Sequence, residues 1–330
     1  MSHLFLRRLS TTRSFATVSN LSIYTKRTNF RNNKCYQFSS YSNDGYYSSE
    51  EQRTALVIGS SGCLGRAVTR HLSNHLDMQV IGADIVDLPD DTDSSLDAFV
   101  SLPTFQQHPG VGDVTEALVS GLLDVLDDEE EIDAIICASG GWQGDPELPN
   151  ANLASQEEYV AGARAYGETI DKMIEMNLFP VLAAGYAADR FMAEEGMFVV
   201  IGATAALSPT PGMLGYGLSK VGAHHFVQTL GEISGKSVTT KSRRKKARSL
   251  RKDKEYLDTF SIVGILPTTI DTPSNRNAMP HADFSQWTQP QDIANEIGKW
   301  ITIPPLRPHS GGLVKVFPDK RGGANFNLVR

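Results

Sequence analysis

Six short apolar runs, separated by segments long enough for helices, organise most of this sequence. The runs cover residues 55–58, 78–83, 132–137, 197–201, 259–266 and 312–317. The helix-length segments between them are 64–76, 113–127, 166–194, 215–233 and 290–302. Strands that lack polar alternation are buried on both faces, which is typical of a parallel sheet covered by helices. The sequence therefore predicts an α/β fold, a doubly wound parallel sheet in a single domain over residues 50–330.

A glycine-rich turn, Gly59 to Gly65, follows the first of these runs. Glycines let the chain turn tightly and approach a pyrophosphate, and the next helix begins with free N–H groups that bind anions. Asp84 ends the second run, nineteen residues after Gly65, where its carboxylate can accept hydrogen bonds from an adenosine ribose. That carboxylate would repel a 2′-phosphate, which favours NADH and leaves NADPH as the less preferred cofactor. The pattern therefore predicts a Rossmann-like sheet that binds NADH.

The residues that we expect to hold the cofactor at this turn are Gly59, Ser61, Gly62, Cys63, Leu64, Gly65 and Asp84. A tight turn without a ligand is the alternative interpretation of the glycines, and Asp87 is the alternative acid.

Tyr216 and Lys220 are four residues apart in one of the helical segments, which places them on the same helix face. The pKa of an unperturbed tyrosine is about 10, and a nearby ammonium group stabilises the phenolate and lowers that value. The pair therefore predicts a tyrosine that acts as a general acid. An ordinary pair on a helix surface is the alternative.

Together these motifs resemble the short-chain dehydrogenase/reductase family. The resemblance places Asn177 at the family's relay asparagine and implies that Tyr216, Lys220 and Asn177 are the catalytic residues. The family's usual serine lies thirteen positions before the tyrosine, where this chain has Ala203, with Thr204 as the adjacent hydroxyl.

Four stretches resemble one branch of that family, whose members reduce quinonoid dihydropterins. They are residues 136–142, 211–217, 266–273 and 275–288. That branch also lacks the serine, and a conjugated quinonoid ring spreads the incoming charge, so that one acid can suffice. The resemblance implies NADH-dependent reduction of a quinonoid dihydropterin, such as dihydrobiopterin, to the tetrahydropterin, with Tyr216 donating the proton and Lys220 assisting it. It also implies a homodimer packed through the segments 166–194 and 215–233.

The same resemblance implies further contacts, because these stretches follow strands. Those with the cofactor are Gly140, Gly141, Lys220, Pro267 and Thr272. Those with the substrate are Trp142, Met213 and Met279. Trp142 can stack on a flat pterin, and a core or interface tryptophan is the alternative interpretation. Residues 274–288 are expected to form a flap in which Met279 or Trp287 covers the substrate.

Two basic segments lie outside this pattern. Residues 1–49 hold seven Lys or Arg and one acidic residue, an Arg-rich, Ser-rich composition typical of an organelle transit peptide. They predict a mitochondrial location, with the plastid, or the cytoplasm for a plain disordered tail, as alternatives. Residues 236–254 hold ten basic residues and one acidic residue, and predict a solvated surface insertion or, alternatively, a surface for a polyanion or a membrane.

Composition narrows the function further. The formal net charge of -7 argues against nucleic acid as the main partner, and no apolar run approaches the roughly 18 residues of a membrane span. Cys35, Cys63 and Cys137 are too widely separated for a zinc cluster, so no metal is predicted, and Cys137 is interpreted as a buried strand residue rather than a nucleophile. Two other functions stay open. One is a short-chain reductase of another carbonyl or quinonoid compound, with Thr204 in place of the serine, and the other is a non-catalytic NADH-binding module.

Overall fold

A computed structural model describes residues 52–86, 95–128, 130–147, 155–234 and 260–329 of the chain. The segment assigned to a transit peptide, 1–49, and the basic insertion 236–254 lie outside these residues, as do the alternative acid Asp87 and Cys35.

Within the described residues, eight strands form a single sheet. They are β1 (Thr54–Ile58), β2 (Gln79–Asp84), β3 (Ala98–Ser101), β4 (Ile132–Cys137), β5 (Met192–Ile201), β6 (Ser261–Pro267), β7 (Gly312–Pro318) and β8 (Ala324–Leu328). Their order in the sheet is β3-β2-β1-β4-β5-β6-β7-β8. Every neighbouring pair is parallel except β7 and β8, which are antiparallel. The prediction of a Rossmann-like, doubly wound α/β sheet is confirmed.

Helices cover both faces of this sheet. They are α1 (Cys63–Leu76), α2 (Val111–Val125), α3 (Gln156–Asn177), α4 (Phe179–Phe191), α5 (Leu214–Ser234), α6 (Pro273–Ala278) and α7 (Pro290–Thr302). The single helix expected over 166–194 is wrong, because α3 ends at Asn177 and α4 begins at Phe179. Pro180 lies in the first turn of α4 and has no N–H to continue the hydrogen-bond ladder of α3.

Two strands were missed by the sequence analysis. β3 has only four residues, and the sequence AFVS is too short to stand out as a run. β8 carries Asn325 and Asn327 and pairs only with β7, so its backbone contacts rather than its apolar content define it as a strand.

The two faces of the sheet carry separate hydrophobic clusters. Leu56 and Ile58 of β1 belong to the cluster covered by α2, α4 and α5, and Ala55 and Val57 belong to the cluster covered by α1 and α7. Successive strand residues point to opposite faces, so burial of all four explains why β1 shows no polar alternation. Among the helices that the structure describes, none is long and apolar enough to cross a membrane.

The chain order of the strands determines where a ligand can bind. From β1 the sheet extends to β2 and β3 on one side and continues with β4 on the other. In open α/β sheets the crevice at such a reversal, beyond the carboxyl ends of the strands, is the usual ligand site. Here that crevice lies between the turn after β1 and the loop after β4.

Candidate active site

The glycine turn after β1 has the tight geometry that the sequence predicts. Gly59 has a φ of +86°, and a Cβ there would stand 2.8 Å from the carbonyl carbon of Ala138 after β4. A Cβ at Gly65 would overlap the carbonyl oxygen of Gly59, so α1 begins pressed against the turn. Gly62 precedes α1 without a side-chain cap, and the first turn of the helix carries no acidic residue. These features leave the start of α1 suited to a pyrophosphate.

Asp84, at the end of β2, lies against the same turn. Its Oδ2 accepts a hydrogen bond of 2.9 Å from the Ser61 N–H, and its Oδ1 accepts one of 3.2 Å from the Val86 N–H. A carboxylate oxygen can accept more than one hydrogen bond, so these contacts orient Asp84 and leave capacity for ribose hydroxyls. The structure therefore brings the predicted acid and the predicted glycine turn together.

Asn177 and Lys220 converge on the loop after β4. Gly140 has a φ of +147°, and a Cβ there would stand 2.6 Å from Asn177 Oδ1 and 3.1 Å from Lys220 Nζ. The Gly141 N–H donates to Asn177 Oδ1 at 3.1 Å, and Asn177 Nδ2 donates to the Met173 carbonyl at 3.0 Å. Glycine at position 140 therefore makes room for both polar side chains at the carboxyl edge of the sheet.

Lys220 is a buried cation held by the sheet. Its Nζ donates a hydrogen bond of 3.0 Å to the carbonyl of Ile201, the last residue of β5. Burial lowers the pKa of Lys220 to about 8. Burial also raises the pKa of the neighbouring Cys137 to about 12, so this thiol stays protonated and fits the structural role predicted for it.

Tyr216 lies one helical turn before Lys220 on α5 and is partly buried. Burial raises its pKa to about 12, so the expectation that Lys220 lowers this pKa towards neutrality is wrong in this structure. The free-energy cost of burying a phenolate determines the direction of this pKa shift. The four-residue spacing shows only that Tyr216 and Lys220 share a helix face. A phenol with this pKa carries its proton at neutral pH and is able to donate it.

The segment after β5 shows how the site is built without the serine. Ala203 has extended backbone, and its N–H donates a hydrogen bond of 3.1 Å to Nε2 of His224. The hydroxyl of Thr204 donates to the carbonyl of Leu266 at 2.7 Å, so its proton is used within the protein. His224 could not be identified from the sequence, because its partner is a backbone group 21 residues away.

Trp142 and Met213 form one wall of the crevice. Trp142 is 56% exposed, which excludes a core role and leaves an interface role as the alternative, and its Nε1 donates to the sulfur of Met213 at 3.0 Å. Asp145 joins the two loops, because its N–H donates to the Gly212 carbonyl and its Oδ1 accepts from the Leu214 N–H, both at 2.8 Å. Leu214 is the first residue of α5, so Asp145 also links this wall to the helix of Tyr216. No motif in the sequence pointed to Asp145.

β6 ends at buried Pro267, and the segment that follows it continues to α6. Thr272 precedes α6, and its hydroxyl accepts a hydrogen bond of 3.1 Å from the Asn275 N–H, so the side chain caps this helix. Asp271 and Arg276 form a two-point ion pair with distances of 2.6 and 2.7 Å. The segment is therefore internally braced next to the carboxyl end of β6.

Within the expected flap, the two candidate covering residues differ. Met279 follows α6 and is exposed, whereas Trp287 is buried and packs on Phe284 with ring centroids 4.7 Å apart. Met279 thus stays the candidate for substrate contact, and Trp287 acts as an anchor of the segment.

The crevice fits a nicotinamide dinucleotide. The glycine turn and Asp84 would hold the pyrophosphate and the adenosine ribose, and the space kept open by Gly140 lies beside Lys220 and Asn177. Among the described residues, no group of three or more His, Cys, Asp or Glu side chains is arranged to hold a metal ion.

Comparison with known proteins gives consistent matches. The family model for short-chain dehydrogenases matches residues 53–241. A protein of Dictyostelium discoideum named dihydropteridine reductase is 28% identical over 264 residues, which cover 80% of this chain and 94% of that protein.

Solved structures with the same fold include two microbial proteins. The ligand-free aldohexose dehydrogenase of Thermoplasma acidophilum has a TM-score of 0.53 at 16% identity, covering 80% of this chain and 92% of that chain. A short-chain dehydrogenase family protein from Francisella tularensis has a TM-score of 0.56 at 15% identity, covering 80% and 96%. At these identities the likeness concerns the fold alone.

Proposed function

This chain belongs to the short-chain dehydrogenase family, and we propose that it is an NADH-dependent reductase that converts a quinonoid dihydropterin into the tetrahydropterin. The observation that carries the proposal is a site with Tyr216 and Lys220 in place but with Ala203 where the family usually has serine. The relative named dihydropteridine reductase supports the pterin assignment.

The residues of the crevice would divide the binding of the cofactor between them. The glycine turn 59–65 and Asp84 would hold the adenosine half, and Lys220, Pro267 and Thr272 would lie at the nicotinamide half. When bound, a reduced nicotinamide supplies a hydride. We assign the preference for NADH to Asp84, whose carboxylate would repel a 2′-phosphate.

Tyr216 is the proton donor in this proposal. With a pKa raised to about 12 the phenol is protonated at neutral pH, so the proton is available when charge builds on the substrate ring. The ammonium of Lys220, anchored on the Ile201 carbonyl, stabilises the phenolate that remains. Asn177 holds the Gly141 N–H and thereby fixes the loop that carries Trp142.

The chemistry of the substrate explains why one acid is enough. Reduction of a simple ketone concentrates negative charge on a single oxygen, where a second hydroxyl helps. A quinonoid dihydropterin spreads the charge over a conjugated ring, and the exposed indole of Trp142 offers a flat surface for stacking. Thr204 is a poor replacement for the serine, because its hydroxyl proton is directed to the Leu266 carbonyl.

Assembly, location and domain extent belong to the same proposal. We propose a homodimer packed through α3, α4 and α5, supported by the apolar side chains of Tyr159, Val160 and Leu218 that are exposed on α3 and α5. We also propose that residues 1–49 direct the chain to mitochondria and that residues 50–330 form a single domain. Import of a fusion carrying residues 1–49 into isolated mitochondria, with truncation of the product, would test the location.

The central experiment follows NADH oxidation with freshly generated quinonoid dihydropterin, beside a panel of simple ketones and quinones. We expect turnover of the pterin and a loss of at least about 100-fold in kcat for Tyr216→Phe, because a positioned general acid contributes that much. Tyr186→Phe, which keeps the aromatic ring of a tyrosine on α4, is the matched control for loss of a phenol hydroxyl and should leave kcat unchanged. Activity on ketones alone would contradict the pterin assignment, and NADH binding without any turnover would favour a non-catalytic module.

A further inference from the structure

His224 is a buried titratable residue that the mechanism above does not use. It lies on α5 one turn after Lys220, and its side chain is only 5% exposed. A Cβ at Gly202 would overlap its Nε2, so the imidazole packs directly on the backbone at the end of β5.

Two side chains of α5 hold the segment around Gly202 from the same side. Lys220 donates to the carbonyl of Ile201 at 3.0 Å, and His224 accepts from the N–H of Ala203 at 3.1 Å. On the other side the Gly202 N–H donates to the Ile265 carbonyl of β6 at 2.8 Å. A shift of this segment would therefore break the contact that anchors the Lys220 ammonium.

The hydrogen bond fixes the ionisation state of His224. Nε2 can accept only when it carries no proton, so the proton of the neutral imidazole lies on Nδ1. Burial, with the charge of Lys220 adding to it, lowers the pKa of His224 to about 4. The imidazole thus stays neutral, and able to accept, at the pH at which a reductase works.

We propose that His224 is a positioning residue for the reductase reaction. It fixes the backbone of Ala203, at the position where the family usually has serine, and through Ile201 it fixes the ammonium of Lys220. The inference rests on the proposed function for its kinetic effect. It also has a chemical consequence, because the Ala203 N–H is occupied by His224 and is not available as a second donor to the substrate.

The test compares His224→Leu with His224→Gln. Leucine removes the acceptor and keeps apolar volume, whereas the glutamine oxygen reaches about as far as Nε2 and can accept the same N–H. We expect kcat to fall by about ten-fold or more in the leucine variant, with the Kd for NADH and the KM changed by less than about three-fold, and glutamine to restore kcat to within about three-fold of wild type. His309→Leu, at an exposed histidine just before β7 and outside the helices of the proposed dimer, is the matched control and should behave as wild type.

Amide hydrogen exchange gives a readout that does not depend on turnover. The Ala203 amide should be protected in wild type and in His224→Gln, and should exchange faster in His224→Leu. A leucine variant that keeps kcat within about two-fold, or equal losses of kcat in both variants at equal Tm, would overturn the proposal. If the leucine variant fails to fold, rapid exchange of Ala203 in the wild type, or full activity of a folded glutamine variant whose Ala203 exchanges freely, would overturn it.

The two proposals fail in different ways. A wild-type protein that leaves quinonoid dihydropterin unreduced but turns over another compound of the panel contradicts the proposed function, and kcat for that compound then decides the role of His224. If the wild type and His224→Leu reduce the pterin equally well, only the proposed role of His224 is contradicted.

Discussion

The side-chain oxygen Oδ1 of Asn177 accepts a hydrogen bond of 3.1 Å from the Gly141 N–H, which ties the last residue of α3 to the loop after β4. Asn177 is buried, and its Nδ2 is bonded to the Met173 carbonyl in the preceding turn. The oxygen of the side-chain amide therefore holds the loop that leads to Trp142, while the nitrogen fixes the amide to α3.

Asn177→Ala should lower the free energy of unfolding by about 1–3 kcal/mol, because the Gly141 N–H loses its partner in a buried site. Urea unfolding measures the change. Asn295→Ala, on the exposed face of α7, serves as the control and should change stability by less than about 0.5 kcal/mol. Equal stability of the two variants would show that the contact with Gly141 contributes little.

Asn177→Asp provides a second arm of this experiment. The carboxylate keeps an acceptor for the Gly141 N–H and adds a negative charge near the ammonium of Lys220. An opposite charge favours the protonated amine, so the pKa of Lys220 should rise and the alkaline limit of activity should move to higher pH.

The pH dependence of activity should report Lys220. Its pKa is lowered by burial from 10.5 to about 8, so the ammonium is present below that pH and is lost as the pH rises through it. We expect kcat/KM, which reflects the free enzyme, to fall with a single deprotonation near pH 8. The tyrosine is not responsible for such a limb, because burial raises the pKa of Tyr216 to about 12. Constant activity up to pH 10, in a protein shown by circular dichroism to stay folded, would contradict the role of the ammonium.

Asp84→Asn should change the nucleotide preference. The amide oxygen keeps one acceptor for the Ser61 or Val86 N–H, while the negative charge that would repel a 2′-phosphate is lost. We expect the ratio of kcat/KM for NADPH to that for NADH to rise by about ten-fold or more. Asp77→Asn is the control, because Asp77 is an exposed residue in the left-handed conformation between α1 and β2, where asparagine is also well tolerated. An unchanged ratio would mean that another residue selects the nucleotide.

Replacing residues 236–254 by a short Gly/Ser linker should leave the reductase activity within about two-fold of wild type. Ser234 ends α5 and lies five helical turns, about 27 Å, from Tyr216. Ser234 Oγ and the Ile262 N–H are both bonded to the hydroxyl of Ser310, at 2.8 and 3.1 Å, so the chain on the two sides of the insertion is already close together. Retention of polyanion binding on a heparin column by the shortened protein would show that the insertion is not the polyanion surface.

Much of the fold could be predicted because burial on both faces leaves a local signature. The central strands are recognisable in the sequence as apolar runs, and the glycine pattern after β1 predicts a cofactor-binding turn. β8 has no such signature, since its membership depends on backbone pairing with β7. The break between α3 and α4 was missed although Pro180 marks it, because the apolar pattern continues across it.

In the candidate site, too, some residues could be predicted from the sequence and others could not. The spacing of Tyr216 and Lys220 follows from helix geometry, and Asp84 follows from strand and turn lengths. His224 and Asp145 carry no motif, and their partners are backbone groups 21 and 69 residues away. Only packing brings such groups together, so only packing identifies them.

The sequence alone determined the doubly wound sheet, the glycine turn, and the identity of the tyrosine, lysine and asparagine at the carboxyl edge. The tertiary structure decided the electrostatics and the support of the site. It raised the pKa of Tyr216 where helix spacing predicts a decrease, and it engaged the Ala203 N–H with His224. The physical reason is that side-chain periodicity is a local property of the chain, whereas desolvation and hydrogen-bond partnership depend on every element packed around a group.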